Sequence, residues 1–329
     1  MDRFTNRRRN LIKAGLGASL TPLFPAAAGA QAAWPAKPIR MLIGFPPGSS
    51  PDLLGRAIVQ PLQDALGQSI VIESRPGAAG SIAAEATVKA PADGYTILVT
   101  AGSTISINPL INTLTYDPFK DLTPVAALAR LNLFLVVRSE LPPKNVNEFV
   151  AWLKANPGKF SYGTPGSGSS PHIAGEMFKS KAGVFAVHVP YRGSAPALQD
   201  LLGAHLDYNF DPGIAFAHVR SGKLRMIAVA TMERSSLFPE VPTLDESGFK
   251  GFDAGTTHAV YAPPGTPADI VARLNREINR ILGLPAVRAI IEGIGAAPSP
   301  MSPAQLVSVM QGDATRYAAI IKERRIKPD

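Results

Sequence analysis

The stretch IRMLIGFPPGSSPDLL, residues 39–54, decides the fold class of this 329-residue chain. It begins with a short β-type run, turns through a loop rich in glycine, serine and proline, and ends in a helical pattern. The apolar side chains recur at helical spacing at Leu54, Ile58, Leu62 and Leu66. Pro61 falls inside this pattern and predicts a kink or a break in the helix.

Strand and helix patterns alternate through most of the rest of the chain, as at residues 69–73 and 95–99. This alternation favours an α/β architecture built around largely parallel sheets. The apolar residues 125–137 suit a strand that crosses from one domain to another, and residues 259–262 form a second apolar run. Further on, Ser302 followed by proline predicts the start of a terminal helix.

The start of the chain is typical of an export signal. Arg8-Arg9-Asn10-Leu11-Ile12-Lys13 resembles a twin-arginine motif, and an uncharged run over residues 14–33 follows it. A membrane anchor is disfavoured, because a spanning helix needs about 20 apolar residues and this run contains two prolines. We predict that residues 1–30 are a twin-arginine-type signal peptide, cleaved near Ala30 or after a second small-residue pattern ending at Ala33. The mature protein would then be periplasmic.

The composition excludes several classes of function. The chain has a net charge of +8, of which residues 1–30 carry five basic and one acidic side chain, or +4. The remaining charges of both signs are interspersed, which argues against a nucleic-acid partner. The absence of cysteine removes thiolate metal sites, cysteine nucleophiles and thiol redox chemistry.

Two loops share one design, in which a short strand leads through glycine, serine and proline into a helix. They are residues 45–52 and residues 163–172. A helix N-terminus leaves about four backbone N–H groups without partners and carries partial positive charge. Such a site can hold a carboxylate or phosphate without a lysine. Each loop alone is also compatible with an ordinary strand-to-helix turn.

Familiar catalytic and metal-binding signatures are missing. The chain contains no G-x-S-x-G elbow and no G-x-x-x-x-G-K-[ST] phosphate loop. Its histidines are never spaced i,i+4 and form no H-E-x-x-H pattern; they are His172, His188, His205, His218 and His258. We therefore expect neither a metal nor a cofactor.

One enzymatic alternative stays open at this point. Ser169 and His172 are spaced i,i+3 at the predicted start of a helix, and Asp211 is available as an acid. These three residues could serve a periplasmic hydrolase or lyase, although nothing else in the sequence matches a catalytic triad.

Six segments carry a resemblance to a known family. They are GFPPGSSPD at residues 44–52, ESRPGAAG at 73–80, ADGYT at 92–96, YG with GSGS at 162–169, HVPYRGSAPA at 188–197, and APPGTP at 262–267. In this order they resemble the tripartite tricarboxylate transporter receptors, also called the Bordetella uptake gene (Bug) proteins. The likeness covers essentially the whole mature chain, and the Val-Pro-Tyr-Arg-Gly block is the most specific part.

The resemblance implies a two-lobed periplasmic-binding-protein fold of type II, the Venus-flytrap α/β arrangement, with two crossing strands. Lobe 1 would comprise residues 34–127 and 256–329, and lobe 2 residues 128–255. The implied function is capture of a small organic carboxylate in the cleft, without catalysis, by a monomer. The ligand would pass to a two-subunit membrane permease, or the protein would act as an orphan sensor.

The resemblance also implies a set of ligand-binding residues on loops that face the cleft. From the first lobe they are Phe45, Gly48, Ser49, Ser50, Asp52, Ser103 and Thr104. From the second lobe they are Gly166, Ser167, Gly168, Ser169, Tyr191 and Arg192. Members of the family hold their ligand mainly through main-chain groups and water.

Two departures from the family pattern touch this set. Ser49 stands where a second glycine is usual, and Thr256-Thr257-His258 occupies a stretch where a tryptophan is common. Two roles also stay open: Asp52 is either a helix N-cap or a ligand or water contact. Arg192 either pairs with the ligand or fixes its own loop.

The arginine pair generates the first testable prediction. Replacing Arg8 and Arg9 together with lysine should block translocation by the twin-arginine route, which reads the pair itself. Fractionation that follows the mature form into the periplasm measures the effect. Undiminished export would show that the general secretory route suffices.

Overall fold

The computed structural model of the protein describes residues 34–327, so the predicted signal peptide lies outside the described residues. The strands are β1 Ile39–Ile43, β2 Ile70–Ser74, β3 Thr96–Thr100, β4 Thr123–Leu131, β5 Phe134–Arg138, β6 Ser161–Thr164, β7 Val187–Pro190, β8 Tyr208–Asp211, β9 Leu224–Val229, β10 Thr256–Ala262 and β11 Ala296–Pro298.

The helices are α1 Ser50–Leu66, α2 Ser81–Val88, α3 Gly102–Ser106, α4 Asn108–Ile111, α5 Val146–Ala155, α6 Ser170–Ala182, α7 Ser194–Leu202, α8 Phe216–Arg220, α9 Ala268–Ile281, α10 Pro285–Gly293 and α11 Pro303–Arg324. A single 3₁₀ turn, Ala78–Gly80, precedes α2. Ser302 caps α11 as the sequence predicts, and its hydroxyl and the side chain of Gln305 form a capping box.

These strands form two mixed sheets. The first has the order β11-β4-β10-β3-β1-β2, and the second has the order β7-β6-β8-β5-β9. In each sheet three neighbouring strands are parallel, namely β2-β1-β3 and β7-β6-β8, while the others pair antiparallel. The expectation of largely parallel sheets is therefore right for only part of each sheet.

The predicted long crossing strand is two strands. β4 pairs with β10 in the first sheet and β5 pairs with β8 in the second, and only Asn132 and Leu133 separate them. The chain thus passes from one sheet to the other within two residues. Of the kink or break predicted at Pro61, the break is wrong, because α1 continues through that proline to Leu66.

Apolar side chains cover both faces of each sheet. Ile39, Met41 and Ile43 of β1 belong to one apolar cluster, and Leu42 belongs to the cluster on the other face. This alternation follows from the two-residue period of a strand. All four side chains are fully buried, and each such burial contributes about 1.5–3 kcal/mol.

Helix α11 packs on both sheets. Leu306 and Met310 lie in the apolar cluster that covers one face of the first sheet, whereas Tyr317 and Ile320 lie in a cluster of the second sheet. The two sheets are therefore joined by this shared helix as well as by the crossing segments.

A network of charged groups holds α11 to residues 253–255, where the chain returns from the second sheet to β10 of the first; we call this the second crossing. Arg130 of β4 donates from Nη2 to both carboxylate oxygens of Asp253, at 3.0 and 2.8 Å. Arg316 of α11 also donates to Asp253 and, at 3.0 Å, to the carbonyl oxygen of Gly255. The hydroxyl of Tyr317 donates to the same carbonyl at 2.8 Å.

This network generates a stability prediction. Asp253→Ala would leave the partly buried guanidinium of Arg130 without its carboxylate and would leave Arg316 paired with Asp313 alone. We therefore expect a loss of about 2 kcal/mol, less than for a fully buried pair. Glu292→Ala is the control, because it removes the exposed Arg288–Glu292 pair, which should be worth about 0.5 kcal/mol or less. Urea unfolding measures both, and equal losses would contradict the assigned role.

Candidate functional site

The loop between β1 and α1 is closed by its own backbone and by one carboxylate. Gly48 adopts φ +80°, a backbone conformation that glycine adopts without steric cost. Its N–H donates to Asp52 Oδ2 at 2.9 Å, and the N–H of Ser49 donates to the carbonyl of Pro46 at 3.2 Å. Asp52 lies in the first turn, while Ser49 is the N-cap residue. The N-cap interpretation of Asp52 is therefore wrong.

The loop before α6 repeats this geometry 120 residues later. Residues 48–51 and 168–171 share the tetrapeptide Gly-Ser-Ser-Pro. Gly168 adopts φ +76° and donates to His172 Nδ1 at 3.1 Å, as Gly48 donates to Asp52. The two N-cap serines have φ −73° in both loops, with ψ 160° and 157°. The sequence prediction rested on the shared strand–loop–helix order of the two loops. The identical tetrapeptide in both loops was a further signal for their common geometry.

The two loops differ in their hydroxyl groups. Ser169 donates from Oγ to the carbonyl of Gly166 at 2.6 Å, whereas Ser49 Oγ is buried without a hydrogen-bond partner. Buried polar atoms nearly always have partners. Ser49 Oγ is therefore available to a bound group.

Both Gly-Ser-Ser-Pro loops reach one cavity of about 70 Å³ between the two sheets. It is lined by Phe45, Pro46, Pro47, Gly48, Ser49, Ser50, Pro51, Ala101, Ser103, Leu131, Leu133, Pro165, Ser169, Ser170, Pro171, Arg192, Gly193, Ser194, Ala195, Pro196, Pro212, Thr256 and His258. We call this the clamp cavity. A neighbouring cavity of about 620 Å³, here the outer cavity, shares part of its lining, including Phe45 and Arg192.

The electrostatics of both cavities favour an anion. Among the described residues that line them, Arg192 is the one side chain with a formal charge, and none is an aspartate or glutamate. The N-termini of α1 and α6 add the partial positive charge of unpartnered backbone N–H groups. The rest of the clamp lining is largely proline, leucine and phenylalanine, which suits an apolar ligand body.

The structure places ten of the thirteen predicted ligand residues at these cavities. Seven line the clamp cavity: Phe45, Gly48, Ser49, Ser50, Ser103, Ser169 and Arg192. The outer cavity is lined by Phe45, Gly166, Ser167, Tyr191 and Arg192. The remaining three line neither cavity: Asp52, Thr104 and Gly168.

Those three residues instead support the loops. Asp52 is 2% exposed and also pairs with Arg56 at 3.0 Å. Thr104 donates from Oγ1 to the carbonyl of Ala79 at 2.9 Å, where the backbone of Ala79 has φ +52°. Thr104 thereby holds a turn that lines the outer cavity.

Thr256 and His258 are among the cavity-lining residues that the predicted set does not include. Thr256 and His258 project from β10 into the lining of the clamp cavity and are 2% and 3% exposed. His258 Nε2 lies 3.0 Å from Ser50 Oγ, and burial lowers the pKa of His258 to about 3. The sequence signal for these two residues was the missing tryptophan of the family pattern at residues 256–258. That signal did not indicate which side chains of the strand face the cavity.

The contacts of Ser169, His172 and Asp211 do not form a catalytic triad. A triad histidine donates from Nδ1 to its acid, whereas His172 Nδ1 accepts from the N–H of Gly168. Ser169 Oγ donates to a backbone carbonyl. Asp211 accepts from the N–H groups of Gly213 and Ala215 at 2.8 and 2.9 Å.

Two further findings limit the chemistry of the described region. Within residues 34–327, no group of three or more histidine, aspartate or glutamate side chains is arranged to hold a metal ion. No helix in the same range is long and apolar enough to cross a membrane.

Asp211 generates a pH prediction, because burial raises its pKa to about 6. The folded protein then binds this proton more tightly than the unfolded chain, so the contribution of Asp211 to stability should rise as pH falls from about 7 towards 4. Two pKa units correspond to roughly 3 kcal/mol. Asp211→Asn should remove this part of the slope, while Asp64→Asn on the exposed side of α1 should leave it intact. Urea unfolding at several pH values measures both slopes, and an unchanged slope in Asp211→Asn would contradict the assignment.

Comparison with known proteins identifies the relatives of this chain. The profile of the "Tripartite tricarboxylate transporter family receptor" matches residues 54–326. Protein BugT of Bordetella pertussis is 36% identical over 298 residues, which cover 89% of this chain and 91% of BugT.

Three solved structures share the fold over nearly their whole length. R. palustris Rpa4515 with adipate has a TM-score of 0.86 at 33% identity and covers 90% of this chain and 100% of its own. MatC from Rhodopseudomonas palustris with bound malate has a TM-score of 0.81 at 32% identity, and the match covers 87% of this chain and 99% of MatC. The periplasmic binding protein BugD has a TM-score of 0.83 at 29% identity, and the match covers 90% of this chain and 100% of BugD. The fold is therefore that of the periplasmic binding proteins.

Proposed function

The chain belongs to the tripartite tricarboxylate transporter receptor family, and from this premise we propose that it captures a small organic carboxylate between its two sheets. The family consists of periplasmic solute-binding receptors rather than enzymes. One observation carries the proposal for this chain: two helices with the same Gly-Ser-Ser-Pro start meet at one cavity, and none of its lining residues within 34–327 is acidic.

The carboxylate would be held mainly by backbone N–H groups. Pro51 and Pro171 carry no N–H, but the first turn of a helix leaves its other N–H groups without intrahelical partners. Both helix starts reach the clamp cavity. Ser49 Oγ adds a hydroxyl without another partner. Arg192 adds a positive charge from the second sheet's side of the cavity. Adipate and malate bound to two relatives support this ligand class.

We also propose that the two sheets belong to lobes that close on the ligand, with lobe 1 at residues 34–127 and 256–329 and lobe 2 at 128–255. The topology supports this division, because the five strands of the second sheet, β5 to β9, are consecutive in the sequence. The first-sheet strand β4 extends to Leu131, four residues past the proposed boundary. Closure would act through the short crossing segments.

The proposed role outside the binding event is export and delivery. The protein would lose residues 1–30 on reaching the periplasm and act there as a monomer without a catalytic activity. It would deliver its ligand to a two-subunit membrane permease, or report the ligand to a partner as an orphan sensor. The family membership supports a transporter partner.

A thermal-shift screen tests the ligand class. We expect at least one member of a set of dicarboxylates, tricarboxylates, aromatic acids and acidic amino acids to stabilise the protein. A ligand at about 100 times its dissociation constant adds about 2.7 kcal/mol to the free energy of unfolding. A flat response to every acid, in protein verified to be free of ligand, would contradict carboxylate binding.

Variants of the two loops test how the anion is held. Ser49→Ala should weaken binding tenfold at most, because a neutral hydrogen bond is worth about 0.5–1.5 kcal/mol net. Gly48→Val should weaken it far more, since a branched side chain at φ +80° shifts the backbone that faces the ligand. Gly222→Val is the control, with φ +77° and similar open space away from both cavities.

Arg192→Ala decides between a backbone clamp and a side-chain clamp. A charge-assisted contact is worth about 1.5–3 kcal/mol, so its loss should weaken binding without abolishing it. Calorimetry on folded variants measures each affinity. The backbone clamp fails if Arg192→Ala alone abolishes binding while Gly48→Val and Gly168→Val bind normally.

A further inference from the structure

We propose that Thr256 and His258 form a specificity-determining subsite that binds a hydroxyl group of the ligand. This inference rests on the proposed capture of a carboxylate in the clamp cavity. It adds a ligand class, a carboxylic acid that carries a hydroxyl group close to the carboxylate.

The geometry of β10 brings the two side chains together. Positions 256 and 258 are two apart on one strand, so their side chains point to the same face of the sheet. Both residues line the clamp cavity and both are nearly inaccessible, at 2% and 3% exposure. The intervening Thr257 is also buried but does not line the cavity.

Each side chain has a buried polar atom without a hydrogen-bond partner. These atoms are Thr256 Oγ1 and His258 Nδ1. Buried polar atoms in folded proteins are almost always satisfied, and exceptions call for an explanation. Both residues line the clamp cavity, and we assign the missing partners to a bound ligand.

The chemistry of His258 selects an uncharged group. Its ring is buried, and the lowered pKa of about 3 keeps it neutral at neutral pH. Nε2 is already engaged by Ser50 Oγ at 3.0 Å, so Nδ1 either donates or accepts according to the tautomer. A hydroxyl group can do both and therefore fits either tautomer. A second carboxylate beside Thr256 and His258 would be desolvated without a positive charge from either side chain.

The position of His258 also fixes where the hydroxyl lies along the ligand. Its imidazole contacts Ser50, the first residue of α1, whose backbone N–H belongs to the proposed carboxylate clamp. The hydroxyl is therefore expected within a few bonds of the carboxylate. Acids substituted at carbon 2 or carbon 3 meet this requirement.

Calorimetry with two matched trios tests the subsite. The first trio is propionate, 2-hydroxypropionate and malonate; the second is butyrate, 3-hydroxybutyrate and succinate. In at least one trio the hydroxy acid should bind about tenfold or more tighter than either of its counterparts, as expected when a buried unpaired group gains its partner.

Variants assign that preference to the two residues. His258→Phe and Thr256→Val should each bring the hydroxy acid to within about threefold of the unsubstituted acid in that trio. Thr257→Val is the control and should keep the preference, because Thr257 does not line the cavity. Melting temperatures confirm that each variant is folded, and Thr256→Val alone suffices if His258→Phe does not fold.

The outcomes separate this inference from the proposed function. Binding of the acids without a hydroxyl preference, or a preference that survives in both variants, overturns the subsite and leaves carboxylate capture intact. Tighter binding of the diacid than of the hydroxy acid in both trios also overturns it. If none of the six acids binds while another carboxylate stabilises the protein, the subsite fails and the clamp stands. No response to any carboxylate overturns both.

Discussion

An α-helix leaves its first backbone N–H groups without partners, and the organisation of this protein's cavity depends on that constraint. Two helices, α1 and α6, expose those groups at one place through the same Gly-Ser-Ser-Pro turn. Gly48 and Gly168 adopt the positive φ that the turn requires without the steric cost that other residues would incur. Asp52 and His172 then hold each turn by accepting from the glycine N–H. Side chains chiefly shape the loops, and the backbone presents the charge.

The same constraint explains why both sheets are needed. One helix N-terminus carries only about half an elementary charge, whereas the clamp cavity brings two of them and Arg192 together. Each sheet supplies one of the two turns, so the cavity exists only where the sheets meet. Helix α11 and the Asp253 network hold the sheets together on the crossing side. The clamp is therefore assembled by the architecture rather than by any single motif.

Local patterns predicted a large part of this arrangement. The strand–loop–helix order located β1 and α1, and Ser302 with Pro303 located the start of α11. Errors arose where packing overrode a local rule. Pro61 does not interrupt α1, because a helix whose apolar face is buried tolerates one missing hydrogen bond. The apolar residues 125–137 read as one strand, although residues 132–133 divide them between two sheets.

The sequence by itself determined the α/β class, the family resemblance and the two glycine- and serine-rich loops that lead into helices, because these depend on periodicity and on residues adjacent in the chain. Only the tertiary structure decided that Asp52 supports its loop, that Thr104 holds the turn at Ala79, and that His258 meets Ser50 across 208 residues. Side chains so far apart become neighbours only through strand order and register. Local sequence does not specify strand order or register. Strand order and register decide which polar atoms at the cavity are left without partners.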